Sequence, residues 1–112
     1  MIVAVIGASN NKEKYGNKVY LKLQNIHETY PVNPNEETIE GNKCYPNIKL
    51  LPKKPDMIVT VVKPEITEMI VEQCIKLKIN KIWMQPGSES DKAIEMCKQN
   101  NIECTHNSCI ML

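Results

Sequence analysis

Short extended stretches alternate with longer amphipathic ones along the chain. Ile2–Ile6 and Met57–Val62 are almost wholly apolar, as a strand covered on both faces of a parallel sheet requires. Glu28–Val32 reads as a strand whose Pro31 donates no ladder hydrogen bond, which places that residue at the strand's end or near an edge. Lys81–Gln85 and Ile102–Thr105 read as two further short strands. Between them, Gly16, Val19, Tyr20 and Leu23 recur at helical spacing and predict a helix over Tyr15–Asn25. Pro64 suits the first position of a second helix running to Leu77, with Ile66, Met69, Ile70, Cys74 and Leu77 on its apolar face. Ser88 or Ser90 can cap a third, whose inner face is Ala93, Ile94 and Cys97 and which stops at Asn100-Asn101.

The stretch from Asn33 to Asp56 is less regular. Asn33-Pro34-Asn35 is a turn signal. Glu36–Asn42 is polar and reads as a loop, Lys43–Pro46 as a brief extended piece, Asn47–Leu51 as one helical turn, and Lys53–Asp56 as a solvated connector. Asn107–Leu112 is apolar enough to fold back onto the body of the chain. Strands alternating with helices predict an α/β, Rossmann-like three-layer fold, with a parallel sheet of about five strands and helices on both faces. Residues 1–112 fit one domain of ordinary size.

The net charge of +1 provides no basic stripe and argues against a nucleic-acid surface. No apolar run approaches the roughly 20 residues a membrane span needs, and the opening residues lack a signal pattern, so no membrane is expected and the expected location is cytoplasmic. Five cysteines, an odd number with no Cys-x-x-Cys, read as reduced thiols. All fourteen basic residues are lysines, so no guanidinium can clamp a phosphate in bidentate fashion.

The stretch after the first strand carries the leading chemical candidate. Gly7, Ala8, Ser9 and Asn10 follow the strand and precede a helix, the plan of a phosphate-binding turn whose backbone N–H groups and helix end favour an anion. The plainer alternative is that Gly7 merely ends a core strand. Ligands of such sheets bind outside the carboxyl ends of the strands. Gly7–Lys12, Asn33–Pro34, Lys63–Pro64 and Gln85–Gly87 all fall there. An NAD(P) module is an alternative reading, but the full G-x-G-x-x-G is missing, and Asn33 stands where an acidic residue would hold the ribose.

Five short motifs occur in order at this rim: Val5–Ser9, Tyr30–Pro34, Lys43–Pro46, Trp83–Gly87 and Cys109–Met111. With them the chain resembles the small stand-alone coenzyme A-binding proteins, whose fold is similar to the amino-terminal domain of the succinyl-CoA synthetase alpha subunit. The resemblance implies a Rossmann-like domain that holds coenzyme A, or an acyl-CoA, non-covalently. Gly7, Ala8, Ser9 and Asn10 would cradle the pyrophosphate, with Lys12 and Lys14 adding charge. Asn33 and Pro34 would line the nucleotide end, and Lys63, Pro64, Gln85 and Pro86 would flank the cofactor. Relatives often carry a basic residue after the Asn-Pro turn. Here Asn35 is neutral and Glu36 and Glu37 are acidic, which opposes a 3′-phosphate at that spot.

The synthetase also uses a phosphorylated histidine of a second domain, for which these residues have no counterpart. His27 is expected at the end opposite the rim, and His106 follows the last strand; neither has a nucleophile at a site-like spacing. A binding module rather than an enzyme is therefore expected. Cys104-x-His106-x-x-Cys109 has the residue types of a zinc site without a fourth ligand, since Cys97 and Cys44 fall in core and loop segments, and no metal is expected. If the closing segment returns over the rim, Cys109 could exchange with a coenzyme A disulfide, which makes a small redox carrier or enzyme the other alternative; a plain apolar cysteine is the simpler account. Sheet edges and the apolar tail could support a homodimer.

Overall fold

Side-chain parity along the central strands sets the layers. In a strand successive side chains point to opposite faces. Val3 and Val5 of β1 (Ile2–Ile6) and Met57 and Val59 of β5 (Met57–Thr60) enter one apolar cluster, while Ala4, Ile6 and Ile58 enter the other. The computed structural model describes residues 1–112. Its main sheet is five-stranded and parallel in the order β2-β1-β5-β6-β7, with β2 at Glu28–Val32, β6 at Lys81–Met84 and β7 at Glu103–Thr105. This is the α/β arrangement the alternation predicts. Strands β5 and β6 stop short of their expected ends because Val61–Val62 and Gln85 leave the sheet for the rim.

The two faces are covered unequally. Helices α2 (Pro64–Leu77) and α3 (Asp91–Gln99), with a 3-10 turn at Ile48–Leu50, pack on the side of Ala4, Ile6, Ile58 and Ile82. On the other side lies only one helix, α1 (Tyr15–Gln24), through Val19, Tyr20 and Leu23. The remainder of that face is filled by Ile39, Cys44, Ile110 and Met111. The ends of α3 follow local chemistry: Ser90, not Ser88, caps it, its Oγ accepting from Ala93 N–H at 3.0 Å. No helix is long and apolar enough to cross a membrane.

Three expectations change. Glu36–Asn42 is not a loop: β3 (Thr38–Ile39) and β4 (Asn42–Lys43) pair antiparallel, and Ile39 is fully buried. The reversal at Glu40-Gly41 has positive φ at both residues, 49° and 78°, which is the turn that matches strand twist in a two-residue hairpin. Cys44 belongs to the core instead of a loop. The inner face of α2 is Thr67, Ile70, Val71 and Cys74, one position round from the apolar stripe, which leaves Ile66 and Met69 exposed. Pro31 does lie on an edge strand. Its carbonyl accepts from Tyr45 N–H on the side away from β1, so its nitrogen faces that way too and β1 loses no bond.

Close backbone contact at the end of β1 fixes where α1 starts. A Cβ on Gly16, in the first turn of α1, would lie 2.0 Å from the carbonyl oxygen of Gly7. Overpacking of this kind costs about 2–3 kcal/mol when backbone must shift. Gly16→Ala is expected to lower unfolding stability by about that amount in urea titrations; an unchanged midpoint would show that the contact is slack.

Candidate functional site

Strands β1 and β5 are neighbours, but their following helices lie on opposite faces, so the chain parts at their carboxyl ends. Such a switch point leaves a crevice. Gly7 turns the chain there with φ +93°, and a Cβ on it would lie 2.3 Å from the Val61 carbonyl oxygen. Only glycine takes that corner without strain. Gly7 N–H still donates to Val32 O at 3.0 Å, and Val61 N–H to Ile6 O at 2.8 Å. Beyond the corner the pattern reverses. The N–H groups of Ala8, Ser9 and Asn10 donate to no acceptor in the chain, whereas the carbonyls of Ala8 and Ser9 accept from the Asn33 and Asn17 side-chain amides, both at 2.9 Å. Successive free N–H groups at the start of a helix form a concavity of positive potential.

The ribbon packs against this turn and alters its charge. Asn10 donates to Thr38 O at 2.8 Å and to Glu36 at 3.1 Å, and its side-chain oxygen accepts from Glu40 N–H at 2.9 Å. The Glu40 carboxylate accepts from Asn17 at 2.9 Å and pairs with Lys12 at 3.1 Å. These partners, Asn17 first and then Lys12, hold the Glu40 carboxyl below its ordinary range. The ammonium of Lys12 is thus already engaged within the chain. Lys14 occupies the N-cap position of α1 and is exposed.

Across the crevice, Val61, Val62, Lys63, Pro64, Pro86, Gly87 and Ser88 line an open cavity of about 370 Å³. Tyr15, Val61, Gln85, Pro86 and Cys109 line a second of about 190 Å³. They share Val61 and Pro86 as walls and so adjoin along the rim. A buried network sets the floor: Ser88 Oγ lies 2.7 Å from Gln85 O, 3.0 Å from Thr60 O and 2.9 Å from Thr60 Oγ1. Gln85 is itself buried, and its amide spans to the closing segment, with Oε1 accepting from Ile110 N–H at 2.8 Å and Nε2 donating to Cys109 Sγ at 3.3 Å.

The structure therefore brings together Gly7, Ala8, Ser9, Asn10 and Asn33 on one side of the crevice and Lys63, Pro64, Gln85, Pro86 and Cys109 on the other. Pro34 is exposed beyond Asn33. Asn17, Tyr15, Val61, Ser88 and Glu40 also belong to this rim, and residue-by-residue reading passed over them. Cys104 turns towards Met84 and Cys109 towards Gln85, and no three His, Cys, Asp or Glu side chains converge. His27 lies beside the amino group of Met1, at the opposite end of the sheet.

The sequence model of a family described as "CoA binding domain" matches residues 2–112. An ADP-forming acetate–CoA ligase I of Archaeoglobus fulgidus is 39% identical over 74 residues, which is 65% of this chain and 11% of the ligase. The alpha subunit of an ADP-forming acetate–CoA ligase II of Pyrococcus furiosus is 35% identical over 64% of this chain and 16% of that subunit. The chain thus spans only a small part of the curated relatives it matches. Solved structures of similar length also match. A conserved hypothetical protein from Pyrococcus furiosus superposes with a TM-score of 0.91 at 38% identity, covering 97% of this chain and 95% of its own. A hypothetical protein from Pyrococcus horikoshii OT3 gives 0.91 at 33%, covering 97% and 78%.

A carboxyl held below its ordinary value of 4.5 stabilises the fold above that pH and loses the contribution as acid protonates it. Glu40→Gln is accordingly expected to be less stable than the parent at pH 7, the difference shrinking towards zero as pH falls below about 4. Chemical denaturation at both pH values measures this, and a constant difference would refute it.

Proposed function

The chain belongs to the CoA-binding domain family, and we propose that it binds coenzyme A or an acyl-CoA along this rim without catalysing a reaction. The observation that carries the reading is the set of N–H groups at Ala8, Ser9 and Asn10 that donate to nothing in the chain, at a switch point where Val61, in contact with the Gly7 corner, also lines both cavities. A diphosphate would take the N–H groups of the turn, with the nucleotide end towards Asn33 and Pro34. The pantetheine arm would run over Val61 and Pro86 towards Gln85 and Cys109. Lys63 forms no ion pair and sits at the N-terminus of α2, where both charge and dipole favour an anion. At the rim Glu40 is tied to Lys12 and Asn17, and the side-chain contact of Cys109 is the Gln85 amide, which is not a base.

Calorimetry with coenzyme A, dephospho-CoA, ADP and NAD tests this. Coenzyme A is expected to bind ahead of NAD, and Lys63→Ala to weaken it about two- to fivefold, the worth of one exposed charge contact. Absence of binding, or preference for NAD, overturns the reading. Gly7→Val is a poor probe of the turn, because the added side chain meets Val61 backbone and would disturb the fold as well.

One observation favours a second reading. Cys109 lines the arm's cavity, whereas burial raises the Cys74 thiol to about 12 and keeps it out of reach. With coenzyme A disulfide, Cys109 sulfur would attack one sulfur, forming a protein–CoA mixed disulfide and releasing one coenzyme A thiol. Intact-mass measurement after such treatment is expected to show one CoA adduct, absent in Cys109→Ser. An unmodified parent protein would end that alternative.

A further inference from the structure

The closing segment Asn107–Leu112 is held in place by the sheet's unequal covering. Trp83 of β6 sits on the face with a single helix, and Ile110 and Met111 pack against that cluster in place of a second one. Asn107, at φ 61°, reverses the chain after β7. Asparagine tolerates that left-handed conformation. Two polar bonds then fasten the segment: Trp83 Nε1–H donates to Ser108 O at 2.9 Å, and Ile110 N–H donates to Gln85 Oε1 at 2.8 Å. The second bond reaches the cavity, because Gln85 and Cys109 are two of its five lining residues.

We infer that Gln85 is a positioning residue, a latch that holds Asn107–Leu112 as a wall of the cavity and thereby encloses the thiol end of the bound arm. This rests on the coenzyme A reading above and deepens it. The backbone of Gln85 is fixed on both sides, its N–H donating to Thr60 O at 3.0 Å and its carbonyl oxygen 2.7 Å from Ser88 Oγ. Both bonds of its side-chain amide go to the segment, the oxygen accepting from Ile110 N–H and the nitrogen donating to Cys109 Sγ. Its remaining N–H and oxygen lone pair are open to a ligand, and Ile110→Pro, which leaves them in place, isolates the effect that passes through the segment. The partly open cavity of about 190 Å³ is of the order of one that takes a benzene-sized group. It therefore suits the free thiol or a short acyl thioester, and a long acyl chain would have to displace the segment.

The test compares two variants that remove the two halves of one hydrogen bond. Gln85→Met keeps side-chain volume and deletes the acceptor; Ile110→Pro deletes the donor. Each is expected to weaken coenzyme A about five- to tenfold, and the double variant no more than Gln85→Met alone, because the bond that Ile110→Pro cuts is one of the two that Gln85→Met cuts. The affinity for ADP, which lacks the arm, is expected to be the same in parent and variants whatever its value. Trp83, the one tryptophan, reports the segment: its fluorescence should change on adding coenzyme A to the parent and not on adding ADP. If the parent binds no coenzyme A, both the binding reading and the latch fall. If it binds coenzyme A but the variants retain full affinity, or lose ADP in equal measure, the latch alone is overturned.

Discussion

Three pieces of backbone meet at one point, and they can do so because glycine stands at two of them. The end of β1, the first residue after β5 and the first turn of α1 approach so closely that a Cβ on Gly7 would reach Val61 carbonyl and one on Gly16 would reach Gly7 carbonyl. The contact brings the start of α1 against the strand end without an intervening side chain. The turn between them cannot fold inward, since Ala8 is already fully buried. It spends its carbonyls on the amides of Asn33 and Asn17 and leaves its N–H groups unused. Unpartnered N–H groups are what remain when helix and strand are brought this close.

The second determinant is an imbalance of layers. Two helices cover one face and one covers the other, so part of a five-stranded sheet would lie bare near β6. Burying apolar area returns roughly 25 cal/mol per Å², and an indole left open would forfeit much of that. Two irregular pieces supply the cover. The ribbon brings Ile39 to the α1 side, and the closing segment brings Ile110 and Met111. Both pieces also reach the rim, one with Glu40 and the other with Cys109. Groups that shape the site are therefore carried by elements whose first task is completing the core.

This explains which parts were legible from residues alone. Strands β1 and β5 announce themselves because a strand buried on both faces must be apolar throughout, and α2 because Pro64 opens it and its stripe is long. The rim followed from topology once the alternation was read. The ribbon was hidden by its turn: Glu40-Gly41 needs positive φ at a glutamate, a residue with no preference for it, and only the contacts to Asn10, Asn17 and Lys12 compensate. The inner face of α2 was displaced by one position because Thr67, a polar residue, takes a fully buried place that an apolar stripe assigns to Ile66. Asn17 reads as a polar helix position, yet it is buried and ties α1, the turn and the ribbon together. Its role is visible only when residues distant in sequence are set side by side.

The charges near the turn lead to a last step about how an anion would be recognised. With no arginine in the chain, and with Lys12 neutralised by Glu40, formal positive charge at this corner is left to the exposed Lys14. Glu36, bound to Asn10, adds a negative charge beside it. At distances beyond a Debye length, about 8 Å at physiological ionic strength, these exposed groups are screened and attract nothing strongly. The N–H dipoles act at shorter range, because charge–dipole energy falls faster with distance than charge–charge energy. Such a corner does not gather anions from solution; it rewards one that fits against the backbone at hydrogen-bond distance. On the proposed reading, selection at this rim would fall to shape and to what else the ligand reaches along the groove: the apolar walls at Val61 and Pro86 and the segment bonded to Gln85.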